Sequence, residues 1–233
     1  MKRFWKDVAV EPHGDAWQVL LDSRAVKTQG RNPQLLPTRA MADLVAAEFA
    51  AQGEEIDLGA FVHRDMADYA IDIVAPDRAT HITKLLAYAE TDTLCYRADP
   101  DEPLFRRQET VWEPIVTACE TAHGVKLERA SGIVHRPQSE TTTAALRRRL
   151  EAEDAFTLAA LLTLTSLATS LVVGLAMLEG GADAEALFAA SNLEEDWQAE
   201  LWGRDHEAQA VRDMKLAEFR KAAEFADAAR ARS

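Results

Sequence analysis

The chain has 233 residues, with 39 Asp and Glu against 26 Lys and Arg and a formal net charge of -13. Hydrophobic residues make up 48% and charged residues 28%, a globular mixture that excludes a disordered or fibrous chain. The acid surplus repels phosphate backbones, and no basic stripe longer than Arg147-Arg148-Arg149 offsets it, which argues against nucleic acid as a partner.

Strand patterning comes first. Phe4 to Val10 reads as a strand, Pro12-His13-Gly14-Asp15 as a turn, and Trp17, Val19 and Leu21 alternate with Gln18 and Leu20 in a second strand. Asp22-Ser23 turns the chain again before Ala25 to Thr28, so a small antiparallel sheet is expected. After the Pro-punctuated loop Gly30 to Pro37, Thr38 is placed to cap a helix. Its Met41, Leu44, Val45 and Phe49 follow the helical period, and Gln52-Gly53 ends it. From about residue 60 the period is helical throughout. Met66, Tyr69, Ala70, Ile73 and Val74 form one stripe that Pro76 stops, and Ile82, Leu85, Leu86 and Ala89 form the next. Thr91 to Arg97 reads as a capped turn entering an extended connector. Pro103 to His123 reads as a helix with a core Trp112, bent at Pro114 and closed by Gly124. Val125 to Gln138 is irregular or weakly stranded.

Ser139 to Leu150 predicts a short helix feeding the uncharged stretch Ala155 to Leu178. At about 1.5 Å per residue that stretch is long enough to cross a bilayer core of about 30 Å. Its Thr157, Thr163, Thr165, Ser166, Thr169 and Ser170, and acidic flanks without close aromatic or basic anchors, favour a buried core helix over a membrane span. Gly180-Gly181 breaks the chain, Asp183 to Trp202 is helical up to Gly203, and a last helix runs from about Glu207. The expected fold class is α+β. A small N-terminal antiparallel sheet with a helix occupies residues 1–60, and a mainly α-helical domain with a buried central helix occupies residues 61–233.

Cys95 and Cys119 lie far apart and form no C-x-x-C pair, which points to a reducing compartment. Met1 to Asp7 carries neither a signal-peptide run nor a transit-peptide pattern, so a cytoplasmic location is expected. The histidines show no spacing that suits a metal on one helix face, and neither metal nor cofactor is expected. His63-Arg64-Asp65 looks like a kinase catalytic loop only on paper, because the glycine loop, the Val-Ala-Ile-Lys strand and the following Asn are missing. No G-x-S-x-G elbow, Walker lysine loop or G-x-G-x-x-G supports acyl transfer or nucleotide binding.

The richest constellation runs from Ser191 to Glu207. On a helix Leu193, Trp197 and Leu201 share one face, while Glu194 and Gln198 share a neighbouring one. One reading makes the first set core and the acids a solvated face. Another makes the segment a recognition surface, with Trp anchors and a carboxylate rim that disfavours wrong partners. Adjacent Glu194 and Glu195 point in different directions on a helix, which argues against a catalytic carboxylate pair.

Six collinear strings carry a family resemblance: Arg3-Phe4-Trp5; Val19 to Arg24 with Lys27-Thr28; Leu36-Pro37-Thr38; Thr91 to Arg97; Trp112-Glu113-Pro114-Ile115; and Leu193-Glu194-Glu195 with Gln198 and Trp202-Gly203. Together they span nearly the whole chain and resemble the mitochondrial and bacterial ATP synthase assembly chaperones that handle the α subunit. The resemblance implies a non-enzymatic, monomeric chaperone that binds the free α subunit of the catalytic head and is replaced when the β subunit arrives. It also implies an α+β architecture and a location in the bacterial cytoplasm, or in the mitochondrial matrix for a processed form. The important acidic position of the family's Leu-Glu motif falls on Glu194, with Glu195, Asp196, Trp197 and Trp202 contributing to or positioning that partner-binding surface. Two departures stand out: Glu48-Phe49 replaces the family's Glu-Trp, and Gln29 stands where Pro usually follows Lys-Thr. Two rival functions remain: a small hydrolase using Glu194 or Asp205 with His206, and a membrane-anchored interaction protein using Ala155 to Leu178.

Overall fold

A computed structural model describes residues 1–132, 135–203 and 205–231. Ile133, Val134 and Arg204, which fall in stretches read above, lie outside the described residues. The chain packs as two compact units. One takes Met1–Arg78, Asp154–Ala160 and the C-terminal residues from Glu224; the other takes Ala79–Glu153 and Leu161–Ala223.

In the first unit, β1 (Val8–His13), β2 (Ala16–Leu21) and β3 (Arg24–Ala25) form an antiparallel sheet in that order. The expected strand from Phe4 begins only at Val8. The Arg3 guanidinium bonds the carbonyls of Trp5, Lys6 and Gln52, which coils the segment before it can extend. Pro12 and His13 belong to the strand, paired with Trp17 and Ala16, and Gly14-Asp15 make the turn. Asp22 and Ser23 both take positive φ, as a two-residue hairpin turn of matching twist requires. The Asp22 carboxylate stays there by accepting from the Lys6 and Asp7 N–H groups, each at 2.9 Å.

Helix α1 (Arg39–Ala50) starts at Thr38, whose hydroxyl oxygen accepts from the Met41 N–H. It buries Met41, Ala42, Val45 and Phe49. Glu48 then caps α2 (Val62–Tyr69), its two oxygens accepting from the His63 and Arg64 N–H groups at 2.8 and 2.9 Å. Burial pushes the Glu48 carboxyl up, but the bonds from His63 and Arg64 outweigh it and hold it below the usual range. Phe49 keeps a ring where the family carries Trp, and the indole donor comes from Trp5, whose Nε1–H reaches the Phe49 carbonyl at 3.3 Å. Gln29 donates its backbone N–H to Asp68 at 3.0 Å, a bond that proline could not make. Pro76 does not stop the helical path as expected. The chain passes from α2 through a π-turn (Ala70–Val74) and a 3-10 turn (Ala75–Asp77), where proline sits in the first turn and its missing N–H costs nothing, into α3 (Arg78–Glu90).

In the second unit the connector at Thr93–Cys95 is a 3-10 turn. It leads into β4 (Tyr96–Arg97), which pairs in parallel with β5 (Ala130–Ser131). Helix α4 (Pro103–His123) continues through Pro114 and closes on left-handed Gly124, and α5 (Glu140–Glu151) is capped by Ser139. Trp112 is fully buried in α4, with its indole N–H on the Ala190 carbonyl at 2.7 Å.

The uncharged stretch corrects the single-helix expectation. It forms α6 (Ala155–Ala168) and α7 (Leu171–Leu178), broken at Thr169, whose φ is +48°. Ser170 caps α7 through the Val173 N–H and donates its hydroxyl to Asp92 at 2.7 Å. The second Asp92 oxygen accepts from the Val172 N–H at 2.9 Å. Among the described residues no helix is long and apolar enough to cross a membrane. Helices α8 (Ala184–Ser191) and α9 (Leu193–Trp202) also replace one expected helix, because the Asn192 side chain turns back onto the Phe188 carbonyl at 2.7 Å. Helix α10 (His206–Arg230) completes the chain.

Gly174 on α7 has no room for a side chain, since a Cβ there would stand 2.6 Å from the Thr165 hydroxyl and 2.8 Å from Leu161 Cδ1. Gly174→Ala should therefore lower stability by about 1–3 kcal/mol in urea unfolding, although alanine is the better helix former. A stabilised variant would show that α6 and α7 are not in this close contact.

Burial pushes the Asp92 carboxyl from 3.8 up to about 6, against the bonds from Val172, Ser170 and Leu94. A folded pKa above the unfolded one means that its stabilising contribution is complete below about pH 4 and is lost as pH rises through about 6. The cost of Asp92→Asn should therefore shrink on going from about pH 4 to about pH 7, by an amount on the order of 3 kcal/mol. Denaturant titrations at the two pH values check this, and an equal cost at both contradicts it.

Candidate functional site

Glu194, Glu195 and Asp196 occupy the first turn of α9, where the helix dipole favours negative charge. Their environments differ. The Glu194 Oε1 accepts from the Gln108 amide at 2.6 Å, and the fully buried Gln108 accepts in turn from the Ala98 N–H at 2.8 Å. Burial raises the Glu194 pKa above its ordinary value despite the Gln108 bond. Asp196 is gripped by both terminal nitrogens of Arg212 on α10, and Glu195 is exposed.

Trp197 is half-buried. The Arg107 guanidinium lies 5.6 Å from its ring centroid and holds Glu200 in a bidentate pair at 2.6 and 2.8 Å. Leu201 is 57% and Trp202 79% exposed at the end of α9, where Gly203 at φ +94° turns the chain away. The reading of Leu193, Trp197 and Leu201 as one core face therefore holds for Leu193 alone, which is 4% exposed. Val211 and Met214 on α10 are exposed as well.

The five residues singled out from the sequence thus share one helix. Sequence reasoning missed the residues that hold that helix: Arg107 and Gln108 on α4, and Arg212 on α10. No local pattern couples Gln108 to Glu194 across 86 positions. The strings resembling a catalytic centre dissolve differently. His63 is a buried residue beside Glu48, and Asp205 caps the start of α10 through the Glu207 N–H, with His206 exposed. Among the described residues, no group of three or more His, Cys, Asp or Glu side chains is placed to hold a metal.

Carboxylates held in fixed positions and an end with exposed Leu201 and Trp202 make α9 a candidate interaction surface. Residues 2–120 match the family described as ATP12 chaperone protein. Over 98% of both chains the structure superimposes on Atp12 from Paracoccus denitrificans with a TM-score of 0.93 at 38% identity. It superimposes equally on an aspartate-to-lysine variant of P. denitrificans Atp12p, with a TM-score of 0.94 at 38% identity and 98% coverage of both chains. The fission yeast protein named "Protein atp12, mitochondrial" is 25% identical over 92% of this chain and 78% of its own length. The chain belongs to the ATP12 chaperone family, the ATP synthase assembly chaperones that its motifs resemble.

Gln108→Ala should cost more stability than Glu194→Gln. The first leaves the part-buried Ala98 N–H and the Glu194 carboxylate without their Gln108 partner, worth about 1–3 kcal/mol, whereas the second keeps an acceptor facing Gln108 and should stay within about 1 kcal/mol. Thermal unfolding of both variants checks this order, and its reversal would mean that Glu194, not Gln108, is the structural partner.

Proposed function

We propose that the chain binds the free α subunit of the ATP synthase catalytic head and shields its β-facing surface until the β subunit replaces it. The observation that carries this reading is the end of α9, where Leu201 and Trp202 stand exposed beyond a turn of carboxylates that Gln108 and Arg212 hold in place. An unassembled α subunit carries apolar surface meant for β, and such surface aggregates unless it is covered. Reversible cover calls for a few aromatic anchors with a charged rim, and Trp202 and Glu194 supply one of each. Glu195, Asp196 and Trp197 complete or position the surface. Exchange needs no nucleotide chemistry, because mass action by β displaces a ligand of moderate affinity. The chaperone acts without catalysis, as a monomer, in the bacterial cytoplasm or in the mitochondrial matrix.

Co-expression with the α subunit tests this directly. The wild-type chain should raise soluble α and co-purify with it. Trp202→Ala, at a position too exposed to serve the fold, should weaken binding about tenfold with an unchanged melting temperature. Glu194→Lys should weaken it further by reversing the charge. Undiminished capture by both variants would remove α9 from the interface.

A further inference from the structure

The first unit contains an apolar cleft of about 300 Å³ that the α9 surface does not involve. Its floor is a run of rings: Trp5 meets Phe49 edge-on at 5.6 Å, and Phe49 meets Phe61 at 4.8 Å. Its rim is unusually apolar for a water-facing edge, with Phe4 70% and Leu58 60% exposed. The charge of the lining is the more informative feature. Arg24, Lys27 and Arg64 line the cleft and, among the described residues, no carboxylate does, in a chain with 39 acids and 26 bases. Arg64 is partly engaged, stacked over Phe61 at 4.2 Å and paired with Asp65 at 2.7 Å. The other ion pairs described in this unit join Arg39 to Asp43 and His63 to Glu48 and Glu224; Lys27 is in none of them, and Arg24 acts on the nearby Asp22 carboxylate without forming a direct pair.

An apolar slot with one exposed aromatic edge, Phe4, above buried rings and beside a cationic margin fits a ligand that offers large apolar side chains next to negative charge. We propose that this cleft is a second client-docking site, taking an extended segment of the client polypeptide in which large apolar residues neighbour Asp or Glu. This inference rests on the chaperone reading above and adds a contact of opposite electrostatic sign. The α9 surface offers carboxylates to the client, whereas the cleft offers cations. The pair of sites would raise affinity through effective concentration, with no single contact needing to be tight.

The test uses the full chain and purified α subunit, with affinity and on-rate measured at two salt concentrations. Phe4→Ser should weaken binding about tenfold. The double variant Arg24→Glu/Lys27→Glu should lower the on-rate about tenfold and lose part of the salt dependence, since exposed rim charges act mainly on encounter. A photo-crosslinking residue at Leu58 should capture an α-subunit peptide rich in apolar residues and carboxylates. If both cleft variants bind as the wild type does while Trp202→Ala binds more weakly, the cleft proposal fails and the α9 reading stands. If the wild-type chain does not bind the α subunit, the α9 reading fails and the assigned occupant of the cleft fails with it. Cross-links from Leu58 to a second copy of this chain would overturn the proposal and make the cleft a dimer contact.

Discussion

The second unit is organised by one buried carboxylate. Asp92 is fully buried, yet its oxygens accept from the Leu94 N–H, the Val172 N–H and the Ser170 hydroxyl, so a short connector is tied to the first turn of α7. A buried carboxyl is tolerated only when its lone pairs are used, and the start of a helix supplies the donors. The knot also explains why the uncharged stretch is two helices. Thr169 takes a left-handed conformation for which threonine has little preference, and Thr93 bonds its carbonyl with both backbone N–H and hydroxyl. With α7 reoriented there, Gly174 can press its bare backbone against Thr165 and Leu161.

Helix α4 connects this core to the candidate surface. It buries Gln108, Trp112, Val116, Cys119 and Glu120, and its polar side chains bond Arg97, Arg129 and two carboxylates of α9. Arg97 bonds Glu109 and Glu113, and Arg129 bonds Glu113 and Glu120, so β4 and the segment before β5 are fastened along the helix. Burial pushes the Glu113 carboxyl up, but the Arg129 and Arg97 guanidinium groups win and hold it at about 2. Arg107 and Gln108, one turn earlier, reach Glu200 and Glu194 on α9. The exposed Arg107–Glu200 pair contributes little to stability. The value of both contacts is orientation, because a ten-residue helix with one buried side chain needs outside contacts to keep a fixed pose. The helix that carries the candidate contacts is thus positioned mainly by polar bonds, and its apolar end, Leu201 and Trp202, is exposed.

Much of the architecture was legible in the chain. Thr38 caps a helix as its position predicts, the helices expected from Ser139 and Asp183 begin at those residues, and Gly124 closes one in the left-handed conformation. Asp22-Ser23 makes the hairpin turn, and Met41, Val45 and Phe49 face the core at helical spacing. These features are local, set by backbone donors within a turn of the residue concerned or by the period of apolar side chains. The collinear motifs gave the family for a related reason, since each is a short string whose order along the chain survives without any knowledge of contacts. Pro76 misled because its cost depends on where in a helical turn it falls, and the π-turn before it placed it where the missing N–H is harmless.

Sequence alone determined the α+β class, the Thr38 cap, the Asp22-Ser23 turn and the Gly124 stop, the family, and the gathering of Glu194, Glu195, Asp196, Trp197 and Trp202 on one segment. Only the tertiary structure decided that the apolar stretch breaks at Thr169, that Asn192 separates α8 from α9, and that Leu201 faces water while Leu193 does not. It alone also brought Gln108 to Glu194 and gathered Arg24, Lys27 and Arg64 around one apolar cleft. The physical reason is range. Capping and periodicity act within a few residues, whereas burying a carboxylate, choosing the wet face of a short helix and concentrating charge at a cleft depend on partners tens of positions away, which meet only when the core has closed.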